Sequence, residues 1–75
     1  MISMTVVGLF KGIIDNKMII FDPLFSEKIS VEIDCKDIDD HFFNLLCSID
    51  ENQIIKIDYD IIDNKNKLCR LYFLK

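Results

Sequence analysis

In the middle of this chain the spacing of the apolar residues changes from that of a strand to that of a helix, and this change constrains the fold more than any other feature. From Ile29 to Cys35 apolar and polar residues alternate, which predicts a strand with one face turned to water. The apolar residues that follow recur mostly at steps of three and four, the spacing of one face of an amphipathic helix. These residues are Ile38, Phe42, Leu45, Leu46 and Ile49. We therefore predict a helix over Asp37–Ile49, with Asp37 as its N-cap and Asp40 completing a capping box.

Two strands are predicted before this region and two after it. Thr5–Ile14 and Lys17–Phe21 are rich in β-forming residues, and the Asp-Asn pair between them suits a tight hairpin turn. After the helix, a strand is expected to turn one set of side chains inward: Ile55, Ile57, Tyr59 and Ile61. A turn over Asp63–Asn66 leads to the last strand, Lys67–Leu74. Leu68, Tyr72 and Leu74 break the alternation there, so we expect that strand to be buried on both faces.

The elements follow one another as β-β-β-α-β-β, which makes the chain mainly β with one helix and a single domain over residues 1–75. This order resembles that of an OB-type barrel, in which five strands close and the helix plugs one end. An α+β alternative also fits, a five-stranded antiparallel sheet with the helix packed on one face. Gly8 and Gly12 favour the barrel, because glycines inside a long strand mark bulges or bends where a sheet curls.

The charge balance argues against nucleic acid and the hydropathy pattern against membranes. Nine Lys and Arg stand against thirteen Asp and Glu, a formal net charge of −4, whereas nucleic-acid binding draws its affinity from basic residues. Arg70 is the one arginine. No apolar run reaches the roughly 18 residues that a membrane-spanning helix needs. The abundance of Ile, Lys, Asn and Asp without Ala matches AT-rich codons and hints at a phage or another mobile element.

No residue pattern predicts a catalytic, cofactor or metal site. Asp37 and His41 share one helix face, but a metal or acid–base site needs further ligands and His41 is the one histidine. The acidic stretch 58–66 lacks the glycine and the closing glutamate of a calcium loop. Three widely spaced cysteines without a Cys-x-x-Cys pair predict buried free thiols in a cytoplasmic protein. They are Cys35, Cys47 and Cys69.

The amount of large apolar side chain is the feature that points to a function. Hydrophobic residues make up 51% of the chain, whereas a domain of this size hides only about 60% of its unfolded surface. The surplus is expected outside, where contiguous apolar area marks a protein interface. The predicted apolar contacts are Leu24, Phe25, Phe43, Tyr72 and Leu74. A predicted acidic face for a basic partner consists of Asp34, Asp37, Asp39, Asp40, Asp58 and Asp60.

The sequence therefore predicts a non-catalytic protein-interaction module, a small accessory or inhibitor protein that forms a homo-oligomer or docks on a larger protein. The alternative is an OB-like single-stranded nucleic-acid binding protein, which needs exposed aromatic residues with lysines between them. The candidate aromatic residues are Phe10, Phe21, Tyr59 and Tyr72. We expect most of them in the core, since aromatic residues in strands are more often buried.

Overall fold

The structure is a computed structural model that describes residues 2–33 and 39–74. Its elements are β1 (Ile2–Ile14), β2 (Lys17–Asp22), β3 (Glu27–Glu32), α1 (Asp40–Cys47), β4 (Ile54–Ile62) and β5 (Lys65–Phe73). The predicted order and the mainly β class with one helix are thus confirmed. The first strand begins three residues earlier than predicted and the third ends earlier, while the last begins two residues earlier.

The five strands close into a barrel in the order β1-β2-β3-β5-β4. Neighbouring strands are antiparallel except β3 and β5, which run parallel and meet at the pair Glu32 and Lys67. The side-chain amide of Asn66 adds a 3.1 Å hydrogen bond to the carbonyl oxygen of Ser30 at the same seam. The barrel is therefore of the OB-like kind, with a narrow junction between β3 and β5.

β1 pairs with two different strands along its length. It pairs with β4 from Ile2 to Leu9 and with β2 from Leu9 to Ile14, so Leu9 is where it changes partner. The pairing with β2 skips one residue between Phe10 and Gly12, and Gly12 has a φ of +123°, which favours glycine. The bulge predicted from the glycines is confirmed, and it lets one long strand curl around the closing sheet.

Two hairpins use the same turn residues. Asp15 and Asn16 join β1 to β2, and Asp63 and Asn64 join β4 to β5, all four with positive φ between 51° and 63°. Positive φ at both central residues is the geometry of a type I′ turn, which matches the twist of the flanking strands. The second turn is shorter than the predicted 63–66, because residues 65 and 66 already belong to β5.

The helix is shorter than predicted at both ends. It begins at Asp40, and its N-cap is Asp39, whose carboxylate accepts a 2.8 Å hydrogen bond from the backbone N–H of Phe42. The prediction of Asp37 as the cap was wrong; Asp37 itself lies outside the described residues. The helix ends at Cys47, and Ser48 closes it by donating its backbone N–H to the carbonyl oxygen of Leu45.

One apolar cluster fills the barrel and includes the helix and its exit. Its buried members are Val6, Phe10, Met18, Ile20, Val31, Ile33, Leu46, Ile49, Ile55, Ile57 and Tyr59. The inward set predicted for β4 is confirmed, with Ile61 packed against the cluster from its edge. The exit of the helix is tied to β1, since Phe10 accepts a hydrogen bond from Asn52 and donates one to Gln53 through their backbones.

β5 is the strand that departs most from its prediction. None of its residues is fully buried, so the expectation of burial on both faces was wrong. The register against β4 shifts by one residue, because Arg70 pairs with Asp58 while Leu68 pairs with Tyr59. Cys69 is the extra residue of this bulge, which lets Leu68 and Leu71 both pack against the core although they are three apart.

Candidate interaction surface

The outer face of β1, β4 and β5 carries neighbouring apolar side chains at one end. On β4, Lys56 lies between Val7 of β1 and Tyr72 of β5. On β1, Leu9 lies between Ile54 of β4 and Phe21 of β2. Leu74 directly follows Phe73, which lies opposite Ile55, and its side chain is exposed. We call this set the outer apolar patch: Val7, Leu9, Phe21, Ile54, Tyr72 and Leu74.

The outer apolar patch is open to solvent over four strands. Ile54 is 50% exposed, Val7 45%, Leu74 40% and Tyr72 39%, while Leu9 and Phe21 are half-buried. The inward neighbours of the same strands, Val6 and Ile55, are buried. Alternation along each strand therefore turns one apolar side chain into the core and the next one out into water.

The other end of this face is polar, and its carboxylates are held by β1. Thr5 donates its hydroxyl to Asp58, and Ser3 donates its hydroxyl to Asp60, each at 2.7 Å. The Ser3 hydroxyl also lowers the pKa of Asp60 below its usual value, with a smaller contribution from Cys69. These two acidic side chains stand in defined positions along the rim of the outer apolar patch.

Cations line up on β5 opposite the carboxylates of β4. Arg70 pairs across the sheet with Asp58, and Lys67 pairs with Asp60. Tyr72 links the two sets, since its hydroxyl donates to Asp58 at 3.4 Å and its ring centre lies 5.2 Å from the Lys56 Nζ. The hydrogen bond that Arg70 donates to the Tyr72 oxygen, followed by the charges of Tyr72 and then Asp58, raises the pKa of Arg70 above its usual value.

A second apolar feature is the loop between β2 and β3. Leu24 and Phe25 are 85% and 73% exposed, the largest values among the apolar residues of the described chain. The loop is ordered by the buried Asp22, whose carboxylate accepts a 2.9 Å hydrogen bond from the backbone N–H of Leu24. This is an Asx-turn, and it presents both side chains at a fixed hairpin tip.

The five predicted apolar contacts are all exposed, but they stand on three different elements. Tyr72 and Leu74 belong to the outer apolar patch, Leu24 and Phe25 to the hairpin tip, and Phe43 to the helix. Sequence reasoning missed Val7 and Ile54, although a signal existed. Each is next to a residue that the alternation turns inward, so each had to point outward.

The predicted acidic face is divided between two elements. Asp58 and Asp60 lie on the outer side of β4, whereas Asp39 and Asp40 are exposed at the start of the helix. The remaining two predicted members, Asp34 and Asp37, lie outside the described residues. Among the aromatic candidates for nucleic-acid binding, Phe10 and Tyr59 are in the core as expected, while Phe21 and Tyr72 face outward.

The cysteines differ from their prediction. Cys47 and Cys69 are exposed, so the expectation of buried thiols was wrong for both, and Cys35 lies outside the described residues. The bulge of β5 accounts for the outward position of Cys69. Although Cys69 is exposed, its neighbours partly desolvate the thiol and raise its pKa above the usual value, and the adjacent Asp60 carboxylate raises it further.

Two further findings on the described residues concern metal binding and membranes. Within residues 2–33 and 39–74, no group of three or more His, Cys, Asp or Glu side chains is arranged to hold a metal ion. His41 is exposed on the helix. No helix in the same ranges is long and apolar enough to cross a membrane. Comparison with known proteins finds no matching family model, curated protein or solved structure.

Proposed function

We propose that this protein is a non-catalytic protein-interaction module that binds through the outer apolar patch. The observation that carries the proposal is the solvent exposure of neighbouring apolar side chains on the convex side of an otherwise closed barrel. Scattered surface apolar residues are normal in proteins, but a contiguous patch with a polar rim is typical of a binding surface. A binding surface of this composition fits a second protein better than a small molecule.

The rim supports specific association. Asp58 is held by Thr5 and Tyr72, and Asp60 by Ser3, so few of their conformations remain to be lost when a partner docks. Ordered charges around an apolar centre set orientation and exclude wrong partners. We propose for the protein the role of a small accessory or inhibitor protein, a role that fits its small size and a composition matching AT-rich codons.

Single-stranded nucleic acid is the second candidate ligand. Phe21 on β2 lies directly opposite Lys28 on β3, on the outer side of the strands with which OB-like barrels bind oligonucleotides. This aromatic–cation pair is the observation in its favour. The neighbouring Lys17 lies opposite Glu32, which offsets its charge, and the whole chain carries a net charge of −4. We therefore rank this function below protein binding.

The test removes apolar area from the patch without changing charge. We expect the double variant Val7→Ser/Ile54→Ser to remain folded, because both side chains are exposed, and to lose association in the cells that produce the protein. Ile14→Ser is the matched control, since Ile14 is an exposed isoleucine of β1 outside the patch. Association is measured by in-cell crosslinking, and unfolding by circular dichroism.

The contrary results are equally defined. If the double variant and the Ile14→Ser control give the same crosslinked products as the unsubstituted chain, the outer apolar patch is not the binding surface. A shift with oligonucleotides that disappears above about 100 mM salt, and that Lys28→Ala weakens, would favour nucleic acid instead.

A further inference from the structure

We propose that the occupant of the outer apolar patch is a second copy of this chain, related to the first by a two-fold axis that runs parallel to β4 and β5. The inference rests on the proposed function and deepens it by naming the partner. Its basis is the pattern of residues that face each other across these two strands on the outer side of the barrel.

Three outward pairs between β4 and β5 join unlike partners that attract each other. Asp58 faces Arg70, Asp60 faces Lys67, and Lys56 lies over the ring of Tyr72. Next along the chain come two exposed apolar residues, Ile54 at the start of β4 and Leu74 directly after β5. Each rung therefore has one member on β4 and the complementary member on β5.

The two-fold axis lies in the interface, midway between β4 and β5. Rotation about it therefore brings β4 of each copy to face β5 of the other. β4 of one copy then rests on β5 of the other at the same height along the strands, and each contact occurs twice. Asp58 meets Arg70 of the second copy, and Asp60 meets Lys67 of the second copy. The residues that attract each other across the sheet of one chain therefore also attract each other between the two chains.

The apolar and aromatic residues follow the same rule. Under this symmetry Ile54 meets Leu74 of the second copy, and Lys56 comes over the ring of Tyr72 of the second copy, an arrangement in which a cation faces an aromatic ring. Val7, on the far side of β4, packs at the margin. The members of the patch at the ends of β4 and β5 are thereby covered by their own counterparts, as an isologous interface requires.

Charge favours this face over the rest of the surface. The whole chain carries a net charge of −4, so two copies repel each other on average. On the proposed face the acidic Asp58 and Asp60 are matched by three cations, and these are Lys56, Lys67 and Arg70. The proposed face therefore carries a net charge of +1, so two copies repel each other less through it than through the acidic remainder of the surface.

The area of the proposed interface indicates how tightly the two copies should associate. Strands of nine residues extend about 30 Å, and three neighbouring strands with their side chains span about 20 Å, which gives roughly 600 Å² per copy. That is about a ninth of the 5424 Å² surface of the chain. Stable interfaces bury about 800 Å² per partner. We therefore expect a dimer that dissociates in the micromolar range rather than a permanent one.

The experiment exchanges charges between the two strands of the proposed contact. Asp58→Arg alone and Arg70→Asp alone each place like charges opposite one another twice in a symmetric dimer. We expect each to weaken dimerisation by about tenfold or more in sedimentation equilibrium. An equimolar mixture of the two variants restores both contacts between chains, although the pairs within each chain remain repulsive. We therefore expect the mixture, but neither single variant by itself, to dimerise nearly as strongly as the unsubstituted protein.

Controls separate folding from association. Thermal unfolding of each single variant shows whether it is folded, and Asp60→Lys with Lys67→Asp repeats the test on the next rung should either variant unfold. The double variant Asp58→Arg/Arg70→Asp in one chain is expected to dimerise by itself, because both its internal and its external pairs are complementary.

The outcomes distinguish the two proposals. A purified chain that stays monomeric at about 1 mM, or a mixture no more associated than its single variants, overturns the two-fold dimer. If the Val7→Ser/Ile54→Ser variant still loses its crosslinks in cells under that result, the patch binds a different protein and the proposed function stands. If neither association is seen, both proposals fall.

Discussion

The carbonyl oxygen of Phe21 lies 2.5 Å from the point that a Cβ atom on Gly8 would occupy, and the Cγ2 of Ile20 lies 2.6 Å from it. Real Cβ atoms do not approach other heavy atoms so closely. Gly8 precedes Leu9, the residue at which β1 leaves β4 and joins β2. The barrel can close there only because position 8 carries no side chain.

Replacing Gly8 by alanine is therefore expected to destabilise the fold by about 1–3 kcal/mol, because the clash is with backbone and must be relieved by moving β2. The measurement is the free energy of unfolding in urea. Ser30→Ala is the control, an exposed strand position where the change should stay within about 0.5 kcal/mol. Equal stability of the Gly8→Ala variant and the control would contradict the tight closure.

The elements of the fold were predictable because their signals are local. The alternation of apolar and polar residues predicted β4, and the change to apolar residues three and four apart predicted the helix. The Asp-Asn pairs predicted hairpin turns because Asn and Asp tolerate positive φ, and Asn16 and Asn64 both have it. The barrel order followed from three strands, one helix and two strands, and from glycines that let β1 curl.

Some departures arise from contacts between distant parts of the chain, whereas the start of the helix is set locally. The bulge at Cys69 depends on how β5 registers against β4, and no local pattern reveals the extra residue. It explains why Leu68 departs from the alternation and why the thiol is exposed. The helix begins later than its apolar spacing suggested, because Asp39 caps it in place of Asp37. The rim of the candidate surface joins Ser3 to Asp60, 57 residues apart, which the sequence alone does not pair.

The turn between β4 and β5 offers a second prediction. Asn64 has a φ of +63°, where a side chain other than Asn, Asp or Gly costs about 1–2 kcal/mol. We expect Asn64→Ala to lower the unfolding free energy by about 1 kcal/mol, whereas Asn64→Gly should leave it unchanged or raise it. Thermal unfolding distinguishes the two. A glycine variant as unstable as the alanine variant would show that the Asn64 side chain, not the backbone geometry, stabilises the turn.

The position of the helix cap gives a third prediction. Asp39→Ala removes the acceptor of the Phe42 backbone N–H and is expected to cost about 1 kcal/mol. Asp39→Ser keeps an oxygen at the cap and should restore most of the loss. Asp40→Asn is the control for charge, since Asp40 contributes only to the first turn of the helix. A larger loss on substitution of Asp40 than of Asp39 would contradict the observed start of the helix.

The last prediction concerns the thiol at the bulge of β5. In a chain with Cys35→Ser and Cys47→Ser, alkylation by iodoacetamide reports the thiolate of Cys69 alone. Burial and the Asp60 carboxylate raise its pKa, so the midpoint of the rate against pH should lie above that of a free cysteine, about 8.5. Asp60→Asn removes the second contribution and should move the midpoint down, with Asp58→Asn as the matched control of smaller effect.

The raised pKa of Cys69 also predicts in which direction the unfolding free energy changes with pH. A group whose pKa is raised on folding keeps its proton longer in the folded chain, so its contribution is fully present below its unfolded pKa. It is lost as the pH rises through the folded pKa of Cys69. The unfolding free energy of the Cys69-only chain should therefore fall more steeply above about pH 8.5 than that of the same chain with Cys69→Ser. Parallel curves for the two chains would mean that Asp60 and the bulge do not act on this thiol.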